Sequence, residues 1–284
     1  MRHADYLIVG GGLAGSTCAY LLKQAGCDVM LVERRELDAY VLGAFRDCGG
    51  ELVDRFHVRA IDFDQHRLEG TRDGEPQEPF AYSTLIAADG ALSYVRKALT
   101  GRPPDAILSL EAAVANTGAP LTMCYEDGFI GYSWYAPCGD VAKLGCCAYA
   151  GDSDLDARLR AFAGQMGVEY DRRRGAFIPT GSDVLLERDG VYFLGDAASL
   201  IAPPSGEGIY HALHSARMLA RALVNKASYR ALMQPVVTEI RRQYKLRGLF
   251  FDTRFMHCGI KLADATPYGA ERAVKFALRH FAGY

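Results

Sequence analysis

The chain opens on a short apolar run, Tyr6-Leu7-Ile8-Val9, interrupted at once by Gly10-Gly11-Gly12. Apolar positions then recur at helical spacing through Leu13, Ala14, Cys18, Ala19, Leu21, Leu22 and Ala25. A continuous apolar run bounded by glycine reads as a buried strand, and the spacing after it as an amphipathic helix. The pattern predicts a strand over 5–10, a helix over 14–25 closed by Gly26, and a second strand over 28–33 that ends in Glu33. A helix over 36–48 follows, stopped by Gly49-Gly50, and then strands of alternating polarity over 51–63 and 67–72 with a turn at Asp73-Gly74. A buried strand over 83–88 runs into Asp89-Gly90 and a short helix ending near Leu99.

Past the linker Gly101-Arg102-Pro103-Pro104 the pattern changes. Residues 106–149 are rich in aromatics and other β-formers, with turn signals between short runs, which predicts three or four antiparallel strands. A helix over 154–166, capped by Asp152 or Ser153, and strands near 174–179 and 184–187 complete this part. A buried strand over 190–194 then enters Gly195-Asp196, a long helix covers about 206–224, and 228–284 reads as mostly helical. The expected fold is α/β: a discontinuous nucleotide domain of residues 1–100 plus 188–225, an inserted antiparallel sheet domain over 101–187, and a helical tail over 226–284.

The first unit suggests its own chemistry. Gly10 permits a sharp turn, Gly12 lets backbone approach a pyrophosphate, and Gly15 lets the helix pack closely on the sheet. The helix start at Leu13 and Ala14 offers free N–H groups and a positive dipole end to an anion. Glu33 lies where a carboxylate can accept hydrogen bonds from ribose hydroxyls. Further along, Asp89-Gly90 and Gly195-Asp196 each deliver a carboxylate at the end of a buried strand, the second where a ribityl hydroxyl could be bound. Ser205-Gly206-Glu207-Gly208-Ile209 opens the long helix with glycines that would admit a flat cofactor ring near backbone N–H groups.

Composition narrows the class without changing it. Half of the 284 residues are apolar and 23% are charged, as in a globular protein, and the net charge of −2 gives no electrostatic case for nucleic acid. No apolar run reaches the length of a spanning helix, and no secretory signal is evident, so a cytoplasmic protein is expected. The eight cysteines form no CxxC pair, and most read as reduced, buried small side chains, with Cys146 and Cys147 on opposite faces of a strand. His211 and His214 have no accompanying carboxylate or cysteine cluster, so no metal site is expected. Residues 237–284 carry nine Lys or Arg against four Asp or Glu, with apolar patches at 249–251 and 274–278. That combination fits an amphipathic helix covering the sheet domain, or else a peripheral membrane contact or a homo-oligomer face.

Taken together and in order, residues 4–225 resemble FAD-dependent oxidoreductases of the glutathione-reductase-like fold, in the para-hydroxybenzoate hydroxylase and geranylgeranyl reductase branch. The resemblance implies FAD as cofactor, with Gly10, Gly12, Leu13, Ala14 and Gly15 at the pyrophosphate and Glu33 at the adenosine ribose. It also implies that Asp89-Gly90 and Gly195-Asp196 are the branch's Asp-Gly and Gly-Asp motifs, Asp196 binding the ribityl chain. Gly206-Glu207-Gly208-Ile209 resembles the reductases' Gly-Glu-Gly-Ile. Tyr132-Ser133-Trp134-Tyr135-Ala136-Pro137 resembles their Tyr-x-Trp-x-x-Pro stretch, which implies that Tyr132, Trp134 and Tyr135 form a substrate wall. Tyr132, Trp134 and Glu207 are the candidates for a catalytic role.

The expected activity is that of a reductase passing hydride through flavin N5 to an apolar, isoprenoid or aromatic substrate. The electron donor would be NAD(P)H, a ferredoxin or reduced flavin, since no second GxGxxG motif is visible. A flavin-dependent monooxygenase or halogenase is one alternative, and a non-catalytic FAD-binding electron relay or partner subunit another. One departure stands out. The stretch that in the family separates the Glu33 strand from the following helix is nearly absent here, because Glu33-Arg34-Arg35-Glu36 runs straight on. Arg34 or Arg35 could still reach the FAD phosphates or adenine.

Overall fold

The computed structural model describes residues 2–10, 13–32, 39–126, 129–149, 154–203 and 205–252. Glu33, Arg34, Gly12 and the tail from 253 onward therefore lie outside the described residues. The chain divides into two compact units, each with its own core. The first comprises residues up to Asp105, then Gly181–Ala202 and Gly206–Arg241; the second comprises Ala106–Thr180, Pro203–Ser205 and the described residues from Arg242.

The first unit begins with β1 (Arg2–Val9), α1 (Leu13–Gln24), β2 (Val29–Val32), α2 (Ala39–Asp47) and β3 (Glu51–Val53). Three antiparallel pieces follow, β4 (Phe56–Asp62), β5 (Arg67–Arg72) and β6 (Glu75–Pro76), and then β7 (Phe80–Ala87) and α3 (Tyr94–Thr100). The single strand expected over 51–63 is two strands. Arg55 adopts a left-handed conformation (φ 52°) that ends one run and reverses the chain. β3 pairs in parallel with β2, whereas β4 pairs antiparallel with β5.

The second unit is built on β8 (Ala106–Ala115), β9 (Thr122–Cys124), β10 (Gly131–Cys138), β11 (Val141–Ala148), α4 (Leu155–Met166) and β12 (Arg173–Pro179). Its five strands run in the order β12-β8-β11-β10-β9, every neighbour antiparallel. Leu155, Leu159 and Phe162 of α4 cover one face together with Leu110, Leu144 and Tyr135. The cap of α4 is Asp154, whose side chain accepts from the Ala157 N–H at 3.0 Å; the expected caps Asp152 and Ser153 lie outside the described residues.

The chain returns to the first unit with β13 (Glu187–Arg188), β14 (Val191–Phe193), a 3-10 turn at Gly195–Ala198 and α5 (Ile209–Asn225); α6 (Tyr229–Phe250) runs on into the second. The strand expected over 184–187 is limited to β13, and the helix expected from 206 starts at Ile209. Residues before Ile209 are held otherwise: Ala202 and Glu207 close a bridge, the Ala202 N–H donating to the Glu207 carbonyl at 2.9 Å.

The central sheet of the first unit places β1 between β2 and β7, with β3 beyond β2 and β14 beyond β7, all parallel. Buried on both faces, such strands require unbroken apolar runs. Leu7, Ile8 and Val9 are accordingly all fully buried, as are Ile86, Ala87 and Phe193. The register aligns strand ends that are far apart in sequence, because Val9 pairs with Ala87 and Ala87 with Phe193. The turns that follow β1, β7 and β14 thus leave the same carboxyl edge side by side, the place where parallel sheets bind ligands.

Candidate functional site

Gly10 ends β1 with φ 102°, a conformation that L side chains rarely adopt. A Cβ there would overlap the Ala88 carbonyl and the Asp89 nitrogen. Glycine at this position therefore serves the meeting of two strand ends: the Ala88 N–H donates to the Val9 carbonyl at 2.7 Å. α1 begins three residues later at Leu13, contains Ala14 and Gly15, and packs on α5.

Asp89 follows β7, and Gly90 turns the chain with φ 82°. The Asp89 carboxylate accepts from the Ser93 hydroxyl at 2.5 Å and from the Val95 N–H at 3.1 Å, so it organises the start of α3. Three residues past Ser93, Arg96 is buried. Its guanidinium donates to the Ala197 carbonyl at 3.2 Å, to the Asp183 carbonyl at 2.7 Å and to the Asp183 carboxylate at 2.7 Å. Asp183 Oδ2 also accepts from the Asp105 N–H at 3.2 Å. In the sequence Arg96 is a basic residue one or two helical turns beyond Asp89-Gly90. Its partner is 87 positions away, and no local pattern announces it.

Gly195 and Asp196 open the 3-10 turn after β14. Gly195 has φ 50°, and a side chain there would press on Ala14 Cβ at 3.2 Å and Ala212 Cβ at 3.3 Å. Its N–H donates to the Ser215 hydroxyl at 3.1 Å, which donates in turn to the Ala212 carbonyl at 3.0 Å. Ser215 is fully buried in α5 and was missed from sequence; its one signal is a small hydroxyl side chain one turn after His211 on the buried face of the helix. Gly208 is the N-cap position of α5. A Cβ on it would stand 3.2 Å from Asp196 Oδ1, so the carboxylate lies at the start of this helix. No side chain or N–H among the described residues donates to that carboxylate, and burial pushes its pKa up to about 6. Gly206 turns with φ 73°, and Glu207 and Ile209 complete the loop, Ile209 largely exposed. In the first turn of α5, His211 is buried with Nδ1 unpartnered; burial, with a smaller contribution from His214, holds its pKa down to about 4.

These residues fit a flavin dinucleotide. Two helix starts, Leu13 and Ile209, and a desolvated carboxylate that no described residue donates to stand at one edge of a parallel sheet. Such an edge offers N–H groups to a pyrophosphate and an acceptor to ribityl hydroxyls. Among the described residues no group of three or more metal-ligating side chains occurs.

In the second unit, strand alternation separates the aromatics that sequence reading had put on one wall. Tyr132 and Trp134 face one side of β10, with Cys147 and Tyr149 of the neighbouring chain segment. Tyr135 faces the other, fully buried among the residues under α4. Its hydroxyl accepts from the Thr117 N–H at 2.8 Å and lies 3.0 Å from Asn116 Oδ1. Tyr135 is therefore a core residue, and its assignment to the substrate wall is corrected: neighbours on a strand point to opposite faces. Trp134 is half-buried and lies across Gly145 of β11, where any Cβ would overlap the indole. Cys146 and Cys147 also split between the two faces, as expected, and burial pushes their thiols up to about 12 and about 11. A surface cavity of about 820 Å³ beside α4, lined by Arg160, Val168 and Arg172 among others, contains none of the candidate residues.

The profile of the NAD(P)-binding Rossmann-like domain family matches residues 8–37. Geranylgeranyl diphosphate reductase of Rhodobacter capsulatus is 28% identical over 77% of this chain and 74% of its own length. Against chloroplastic geranylgeranyl diphosphate reductases of plants, the chain spans about half their length, 47%. Among solved structures, a geranylgeranyl bacteriochlorophyll reductase-like protein of Thermoplasma acidophilum superposes with a TM-score of 0.77 at 15% identity, covering 99% of this chain and 97% of that one. The flavin-dependent brominase Bmp2 has the same fold, with a TM-score of 0.69 at 13% identity over 98% and 100% of the two chains. The likenesses in sequence and in fold mark a flavin-dependent oxidoreductase built on a Rossmann-like domain. In sequence the chain is similar to geranylgeranyl diphosphate reductases.

Proposed function

We propose that the chain binds FAD and reduces a carbon–carbon double bond of an apolar, isoprenoid-bearing substrate. The likeness to geranylgeranyl diphosphate reductases supports the substrate class. The observation that carries the cofactor is Asp196, a desolvated carboxylate at the start of α5 with no donor among the described residues. When bound, FAD supplies the hydride, having taken it from an external donor such as NAD(P)H, a ferredoxin or free reduced flavin.

The chain's own residues bind and orient. The turn at Gly10 and the start of α1, with Gly12, Glu33 and Arg34, hold the pyrophosphate and adenosine ribose. Asp196 accepts from ribityl hydroxyls, and the Gly206–Gly208 turn presents the N–H groups of α5 to negative charge on the reduced ring. The discontinuous unit is thus the cofactor domain, and the five-stranded sheet carries the substrate face, with Tyr132 and Trp134 as its apolar surface. Tyr132 holds its proton: its hydroxyl donates to the Ser205 carbonyl, and burial raises its pKa further. That favours a shaping role for Tyr132 over acid catalysis, and leaves Glu207 as the candidate for proton delivery. Among the described residues no helix is long and apolar enough to cross a membrane.

The visible spectrum of the purified protein tests this reading. Absorbance bands of oxidised flavin are expected, with FAD released on denaturation, and Asp196→Ala should lose most of the flavin while keeping its fold. Anaerobic reduction followed by an isoprenoid alkene should restore the oxidised spectrum. A colourless protein that takes up no FAD would sink the proposal, and reoxidation by oxygen with hydroxylation of an aromatic acceptor would replace it with the monooxygenase reading.

A further inference from the structure

The turn that carries Asp196 is held by side chains from two helices. Much of its backbone is satisfied by other backbone. The Phe193 N–H donates to the Leu186 carbonyl and the Leu194 N–H to the Ala87 carbonyl, both at 2.9 Å. The Leu200 and Ser199 N–H groups donate back to the Gly195 and Asp196 carbonyls at 3.0 and 2.9 Å. Two groups flanking Leu194 are met by side chains instead. The Phe193 carbonyl accepts from the Tyr229 hydroxyl at 3.2 Å, and the Gly195 N–H donates to the Ser215 hydroxyl at 3.1 Å.

Both side chains are buried, Ser215 within α5 and Tyr229 at the first position of α6, and their hydroxyls are near neighbours. A hydroxyl has one proton to give. That of Ser215 goes to the Ala212 carbonyl at 3.0 Å, which leaves its oxygen to accept from Gly195. That of Tyr229 stays on the phenol, because burial raises its pKa well above the usual value. The backbone they secure needs securing: Gly195 turns with φ 50° where there is little room for a side chain, and Asp196 stands beside Gly208 at the start of α5.

We propose that Ser215 and Tyr229 are positioning residues for the cofactor: by holding the backbone on both sides of Leu194, they keep the Asp196 carboxylate where it receives a ribityl hydroxyl. This rests on the reading of Asp196 as the ribityl acceptor. A buried N–H or carbonyl that loses its partner favours local conformations that reach water. The fraction of molecules with the turn in its binding form then falls, and apparent affinity falls in proportion.

Fluorescence titration of FAD into apo protein tests this without turnover. Ser215→Ala should weaken FAD binding about tenfold and Tyr229→Phe about threefold, each with the circular dichroism of wild type. The deciding measurement repeats both substitutions on Asp196→Ala, which keeps the pyrophosphate and adenosine contacts. Side chains that act through Asp196 should change FAD affinity there by less than about twofold. Side chains that only support the fold would lower stability in urea and leave the FAD affinity of folded protein as it was, or would weaken binding equally with and without Asp196. Either result overturns the proposal. Should Ser215→Ala not fold, the Tyr229→Phe cycle decides, since it removes a hydroxyl and keeps the ring. Wild type that binds no FAD, or Asp196→Ala that binds it as tightly as wild type, sinks the cofactor reading and the proposal with it. Additive effects beside an intact dependence on Asp196 sink the proposal alone.

Discussion

The Arg96 guanidinium donates to the Ala197 carbonyl at 3.2 Å, and so fastens the helix that follows Asp89-Gly90 to the turn that presents Asp196. The same guanidinium pairs with Asp183 at 2.7 Å, and Asp183 in turn holds the Asp105 N–H. Three stretches distant in sequence are joined by one buried cation. Removing one partner of a buried pair leaves the other charge without compensation, which costs about 3–5 kcal/mol, whereas replacing both with apolar residues often costs little. Arg102 also lies 3.5 Å from the Asp183 carboxylate and compensates part of its charge, so Arg96→Met alone should lower stability in urea denaturation by about 3 kcal/mol, the low end of that range, and Arg96→Met with Asp183→Leu should recover a large part of it. Equal losses in the single and double variants would mean that the pair is not the coupling element.

Gly10 and Gly90 look interchangeable as turn glycines, and the structure separates them. Both have positive φ, but a Cβ at Gly10 would overlap the Ala88 backbone while Gly90 faces open space. Gly90→Ala should cost on the order of 1 kcal/mol, the price of the backbone conformation alone. Gly10→Ala adds a clash with backbone that cannot rotate away, and should abolish soluble expression or cut stability several times more. Thermal denaturation of the two variants side by side checks this, and equal effects would place Gly10 with the ordinary turn glycines.

What the sequence made legible follows from the range of the interactions involved. The β1–α1–β2 unit, the antiparallel strands after Ala106 and the turns at Asp89-Gly90 and Gly195-Asp196 are written in local periodicity and glycine placement, and they appear where expected. The alignment of those turns at one sheet edge was implied by the resemblance and is produced by the pairing of Val9 with Ala87 and Ala87 with Phe193, which no local pattern encodes. Arg96 with Asp183, Ser215 under Gly195, and Phe251 against Tyr149 are likewise contacts between distant segments. Tyr135 is a different case. Period-two alternation already separates it from Tyr132 and Trp134, and treating the six-residue motif as one wall overrode that signal.

The Tyr135 correction has a measurable consequence. Its hydroxyl is bound to Thr117 and Asn116 on the α4 side of the sheet. Tyr135→Phe should cost about 1 kcal/mol of stability from the hydrogen bonds it loses and leave the substrate's KM unchanged. Trp134→Ala should do the reverse: it removes a half-buried ring from the other face, raising KM or lowering turnover while the flavin content stays near wild type. A steady-state comparison of the two variants at equal flavin loading distinguishes them, and a KM effect in Tyr135→Phe would return that residue to the substrate surface.

Asp196 makes the protein's stability and its cofactor affinity depend on pH in opposite directions. Burial raises its pKa from 3.8 to about 6 in the folded chain without cofactor. A carboxyl group with a raised folded-state pKa favours folding below its unfolded value, and that contribution is lost as pH rises through the folded value. Apo protein should therefore gain stability relative to Asp196→Asn as pH falls from about 7 to 4, by on the order of 3 kcal/mol if the full shift is expressed. A bound ribityl hydroxyl donates to the ionised carboxylate and favours that form. FAD affinity should accordingly fall as pH drops below about 6, and the fall should be absent in Asp196→Asn. Fluorescence titration of FAD between about pH 4 and 8, paired with denaturation of apo protein over the same range, reads both slopes. Parallel slopes, or a pH dependence of affinity that survives in Asp196→Asn, would remove Asp196 from the cofactor site.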